Sequence, residues 1–144
     1  MSDEMIKKEN LEVSDIAAVT VRLNGLLDML SEFGYSGFLR LDEQGIPFVE
    51  ADKAGDTVYL QYVMADPDED RYVLNISRIY RKVSDAWDLT KVMMGLDTYN
   101  RESELGFLTF HPVGGLIEKR MQVFEMGGLF EPVYYKNLLE SLDD

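Results

Sequence analysis

The residues able to do acid–base, nucleophilic or ligand chemistry are few and scattered. His111 is the single histidine, and there is no cysteine. A Ser-His-Asp triad on His111 would need a nucleophile elbow, and no serine lies in a Gly-x-Ser-x-Gly sequence. A zinc site would have to complete its ligand set with carboxylates beside one imidazole. Followed by Pro112, His111 reads more simply as a strand-end residue. Asp66, Asp68 and Asp70 have the alternate spacing that opens a calcium loop, but Arg71 stands where the loop needs glycine and Ser77 where it needs glutamate. They read as an acidic hairpin turn. Gly114-Gly115 and Gly127-Gly128 lack the Lys-Ser/Thr of a phosphate loop and match no Gly-x-Gly-x-x-Gly pattern, so both read as turns. No metal or cofactor follows from these patterns. With 27 acidic residues some carboxylates will lie close together, and a site made of them is the enzymatic alternative.

Recognition chemistry has candidates of its own. Tyr and Arg are enriched at binding hot spots, so Tyr99 with Arg101 could form an amphipathic contact point. The plainer reading packs Tyr99 on the sheet and pairs Arg101 with a nearby acid. Trp87 has the same two readings, and Phe107 is a further partner-binding candidate.

Those residues need a framework, and the chain is long enough to build one. It has 144 residues, 46% of them hydrophobic, which suits one domain with a real core. No apolar run reaches membrane-spanning length. The first residues contain no apolar signal segment, which makes a cytoplasmic location the expectation. The net charge is −13, and no dense Lys/Arg cluster opposes it, so direct binding to a phosphate backbone is disfavoured.

Residues 1–12 read as a flexible arm and residues 13–144 as a single domain. Ser14 suits the cap of a helix over Asp15–Phe33 with Ile16, Val19, Leu23, Leu26, Leu27 and Leu30 as its stripe and Gly34 at its end. Gly25, inside that helix, carries a propensity penalty of about 1 kcal/mol. Strands are predicted over Phe38–Leu41, Ile46–Glu50, Thr57–Met64 and Arg71–Tyr80, joined by hairpin-length turns. Leu39 and Leu41 share one face of the first, and Val58, Leu60, Tyr62 and Met64 one face of the third. Pro47 implies an edge or a strand start.

A second helix is predicted from a Ser84 cap to Asn100, with Leu89, Val92, Met93 and Leu96 on one face and Asn100 as a left-handed terminator. Two strands follow, near Gly106–His111 and Arg120–Glu125. A last helix has Pro132 in its first turn and Tyr135, Leu138, Leu139 and Leu142 on its apolar face. The fold class is therefore α+β, an antiparallel sheet with helices chiefly on one face, in the order α-β-β-β-β-α-β-β-α. Tyr59, Val63, Val73, Ile79, Phe107 and Phe124 fall on the second strand faces and need a partner surface or local cover, and a homodimer is the expectation.

Leu96-Asp97-Thr98-Tyr99-Asn100-Arg101-Glu102-Ser103 passing into Gly106-Phe107-Leu108 resembles the YbjN-type sensory transduction regulators, as does Phe124-Glu125-Met126-Gly127-Gly128 before the final helix. The resemblance spans residues 14–142 in layout. It departs at Trp87 and through Val113–Arg120. It implies the fold of type III secretion chaperones, which are small, often acidic, cytoplasmic dimers, and it brings no catalytic residues with it.

The reading is a non-catalytic protein-binding module, chaperone-like or regulatory. Trp87, Tyr99, Arg101 and Phe107 are its candidate partner-binding residues. Its expected partner is a protein with a basic, partly apolar segment, and neither nucleic acid nor membrane. The alternatives are an enzyme with an unrecognised carboxylate site and an acidic nucleic-acid mimic.

Overall fold

The computed structural model describes residues 13–82, 89–102, 107–111 and 115–142. The expected arm, the Ser84 cap, Trp87, Gly106 and Val113-Gly114 lie outside these residues. The elements are α1 (Val13–Glu32), β1 (Ser36–Leu41), β2 (Pro47–Lys53), β3 (Asp56–Asp66), β4 (Arg71–Lys82), α2 (Leu89–Glu102), β5 (Phe107–His111), β6 (Leu116–Met126) and α3 (Pro132–Leu142). The six strands form one sheet in the order β1-β2-β3-β4-β6-β5, every pair antiparallel. This is the expected α+β order. The β4–α2–β5 excursion lets β6 return beside β4 and leaves β5 at the edge.

The main core lies between the sheet and α1 with α3. Val19, Leu23, Leu26 and Leu30 of α1 bury their stripe against Val49, Leu60, Leu74 and Ile76 of the sheet. Tyr135, Leu138, Leu139 and Leu142 of α3 join the same cluster. Truncating a buried leucine here to alanine removes about 2–5 kcal/mol. A smaller cluster of Leu96, Leu108 and Ile117 seats α2 over β5 and β6. Leu108 pairs with Lys119, and Lys119 alternates with Met121 and Val123 toward the main core, so α2 sits on the same side as the other helices.

Local details explain several departures from expectation. α1 begins at Val13, one residue ahead of Ser14. It ends where Gly34 takes φ +94° and Tyr35 N–H donates to Leu30 C=O at 2.9 Å, a glycine-closed helix end. Gly25 has a packing reason: a Cβ there would meet Leu129 Cδ1 at 3.1 Å. Pro47 starts β2, an interior strand, opposite Leu41.

A bulge in β3 between Tyr62 and Met64 moves Met64 off the core face predicted for it, because the extra residue resets the alternation. Met93 is likewise half exposed rather than on the buried stripe of α2, where Val92 and Leu96 pack. Nor does Asn100 end its helix. It stays helical, and its amide grips Leu108: Oδ1 accepts the Leu108 N–H at 2.7 Å and Nδ2 donates to the Leu108 C=O at 3.0 Å. β6 begins at Leu116, well ahead of the predicted start at Arg120, and runs for 11 residues. Gly127, at φ +79°, closes it as expected.

Candidate functional site

Alternation along the strands sends a second set of side chains to the face without helices. Register places Tyr59 beside Ser77, Gln61 beside Asn75, Ser77 beside Arg120, and Arg120 beside Phe107. Phe38, Phe48, Val73, Ile79 and Phe124 share that side. No described helix covers it. Phe38 and Phe124 are 59% and 69% exposed, far more than an apolar side chain in a core.

The middle of this face holds a cavity of about 390 Å³. Asn75 and Ser77 of β4 line it and are 9% and 6% exposed, although they point away from the core. Phe48 and Tyr59 make an aromatic wall, their ring centroids 6.4 Å apart and tilted by 47°. Asp42, Gln61, Glu118 and Arg120 bring the remaining polar atoms.

Each charged group at the cavity is held by specific contacts. Asp42 closes the β1–β2 turn: its Oδ1 accepts the Gln44 and Ile46 N–H groups, both at 2.9 Å. Its Oδ2 accepts Gln61 Nε2 at 3.0 Å, which fixes the Gln61 amide at the cavity wall. Partial burial works against ionisation of Asp42, but hydrogen bonds from Ile46, Gln61 and Gln44 outweigh it and hold the carboxyl below its ordinary value. Arg120 Nε lies 2.5 Å from Glu118 Oε1, and Arg40 Nε lies 3.0 Å from Glu50 Oε2. Burial, then the Glu50 and Glu118 charges, push the Tyr59 phenol up.

Two side-chain atoms among the described residues are buried without a hydrogen-bond partner, Asn75 Oδ1 and Thr109 Oγ1. Both belong to this face, Thr109 through its pairing with Glu118. An unmet buried acceptor costs about 1–3 kcal/mol. Such a deficit marks a surface that a further group would complete.

The helix side treats its polar groups differently. Glu125 is fully buried there. Its Oε1 accepts Arg22 Nη2 at 2.7 Å and the Tyr62 hydroxyl at 2.6 Å, and its Oε2 accepts the Tyr135 hydroxyl. The Arg22 guanidinium also stacks on Tyr72, 3.9 Å from the ring centroid, and donates to Gly127 C=O. Burial opposes the Arg22 charge, but the bonds to Glu125 and Tyr62 outweigh it and raise its pKa. Burial and then the Glu125 bond push the phenols of Tyr62 and Tyr135 well above the usual range. This network ties α1, β3, β6 and α3 together. Nothing in the motif reading pointed to it. The signal was Glu125 on the same alternation as Met121 and Val123, a carboxylate aimed into the core.

The candidate residues from the sequence do not converge. Tyr99 packs with the Leu96–Leu108–Ile117 cluster, with Lys119 Nζ 5.7 Å from its ring centroid. Arg101 pairs with Asp97 at 2.9 Å on the solvent side of α2. Phe107 lies on the open sheet face, and Trp87 is outside the described residues. His111 ends β5 opposite Leu116. At the acidic turn, Asp66 pairs with Arg71 at 3.3 Å, and no group of His, Cys, Asp or Glu suited to a metal occurs among the described residues. The polar pair Asn75 and Ser77 was missed, although alternation with Val73 and Ile79 places them on one face.

The chain matches no protein-family model, no curated protein and no solved structure. No helix among the described residues is long and apolar enough to cross a membrane.

Proposed function

We propose that this protein is a non-catalytic binding module, chaperone-like or regulatory and cytoplasmic, that takes a basic and partly apolar segment of a protein partner on its open sheet face. The observation that carries the reading is the uncovered face itself, where exposed Phe38 and Phe124 flank a polar cavity. Exposed apolar area of this kind suits a partner surface. The net charge of −13 favours a cationic partner and disfavours nucleic acid. A homodimer through the same face would bring two such charges together, which favours a different chain as occupant. The resemblance of Leu96–Ser103 to the YbjN-type regulators supports the non-catalytic part of this reading.

The carboxylates at the cavity give an enzymatic reading little support. Asp42 accepts three hydrogen bonds and is held acidic, which makes it a poor proton acceptor or donor near neutrality. Acids on this face alternate with Arg40 and Arg120 rather than forming the continuous line a phosphate mimic needs.

Calorimetric titration of the full chain with short synthetic peptides tests the reading. Peptides that mix arginine or lysine with apolar residues should bind. Acidic peptides and bare DNA should not. Binding to DNA in preference to every peptide would overturn the proposal.

A further inference from the structure

We propose, building on that reading, that the cavity of the open face is the pocket for one arginine side chain of the partner segment. The chemistry of the cavity asks for a planar cation rich in donors. Asn75 Oδ1 is a buried acceptor with no donor, and a guanidinium offers five N–H groups and no acceptor. Charge matches as well. Arg120 is engaged by Glu118 and Arg40 by Glu50. Asp42 meets only neutral N–H groups in its hydrogen bonds, which leaves one negative charge at the cavity wall.

Shape agrees with charge. The tilted rings of Phe48 and Tyr59 offer flat faces on which a guanidinium stacks. About 390 Å³ gives room for an entire long side chain. The protein already builds such a nest for its own Arg22, which stacks 3.9 Å from the centre of Tyr72 while Glu125 accepts its N–H groups. The open-face cavity has the same ingredients, aromatic faces with oxygen acceptors, and lacks the guanidinium. Lysine, a compact charge without a plane, uses the aromatic wall less well. A second copy of the chain brings a charge of −13 to an acidic cavity and is disfavoured.

NMR of the full chain with two small probes, L-argininamide and L-citrullinamide, whose side chain is an uncharged isostere, tests the pocket. Argininamide should shift the side-chain amide signals of Asn75 and Gln61 saturably at millimolar concentration. Citrullinamide should bind at least about tenfold more weakly, a difference of ~1.4 kcal/mol. Asn75→Leu should weaken argininamide by a similar factor. If that variant does not fold, Phe48→Leu carries the mutational test, with a severalfold loss expected.

Unmoved Asn75 and Gln61 signals, or equal binding of the two probes, would overturn the inference. So would shifts that follow protein concentration instead of probe, which would assign the face to a second copy. A basic peptide that binds the open face equally well with norleucine in place of arginine removes the pocket and keeps the binding module. Saturable argininamide binding with no peptide binding removes the module and keeps the pocket.

Discussion

Arg22 on the first helix and Glu125 near the end of the sixth strand meet at 2.7 Å, with the carboxylate wholly shielded from water. Removing one side of such a pair leaves an unmatched buried group, which typically costs about 3–5 kcal/mol. Glu125→Ala should lower the urea midpoint accordingly. Glu125→Gln, which keeps the shape and some hydrogen bonds, should lose less. Equal stability of Glu125→Ala and the parent chain would show that the network holds nothing together.

The same network predicts alkaline sensitivity. Tyr62 and Tyr135 keep their phenol protons in the folded protein well above the ordinary value of 10.0, whereas the unfolded chain releases them near it. Their contribution is therefore complete below about pH 10 and declines as pH rises further. Each tyrosine can take away up to about 1.4 kcal/mol per pH unit in that range. Urea midpoints followed through alkaline pH should fall, and Tyr135→Phe should make the fall shallower.

Phe38→Ser and Phe124→Ser should change stability by no more than about 0.5 kcal/mol each, because both rings are largely in solvent. The same variants should weaken binding of the mixed basic and apolar peptides. Calorimetry and thermal melts on one preparation read both effects. Intact peptide binding in the double variant would move the contact surface elsewhere.

Association of a basic peptide with this −13 chain should slow as salt is added, since exposed charges are screened beyond ~8 Å at physiological ionic strength. Dissociation should respond less. Stopped-flow measurements across a salt series check this. An association rate indifferent to salt would remove the electrostatic contribution.

The fold was legible because its signals are local and periodic. The stripe of Val19, Leu23, Leu26 and Leu30 and the stripe of Tyr135, Leu138, Leu139 and Leu142 each matched one buried face. Met64 escaped because a bulge is set by the pairing partner as well as by the strand carrying it. The open face was half legible. Its apolar members Tyr59, Val73, Ile79, Phe107 and Phe124 follow from alternation. The cavity depends on Gln61, Asn75, Ser77 and Arg120 from three strands coming into register. Asp42 reaches Gln61 across the start of β2, a contact between residues nineteen apart that no local pattern announces.

Asn100 has a consequence for what the sheet can join. Leu108 presents its N–H and C=O on the side of β5 away from β6, where another strand would otherwise dock. The Asn100 amide takes both groups and imitates one rung of a neighbouring strand. With only five residues in β5, that one side chain occupies much of the margin. Strand addition at the Leu108 rung is opposed from within the molecule. At the opposite border, β1 (Ser36–Leu41) pairs with β2 alone among the described strands.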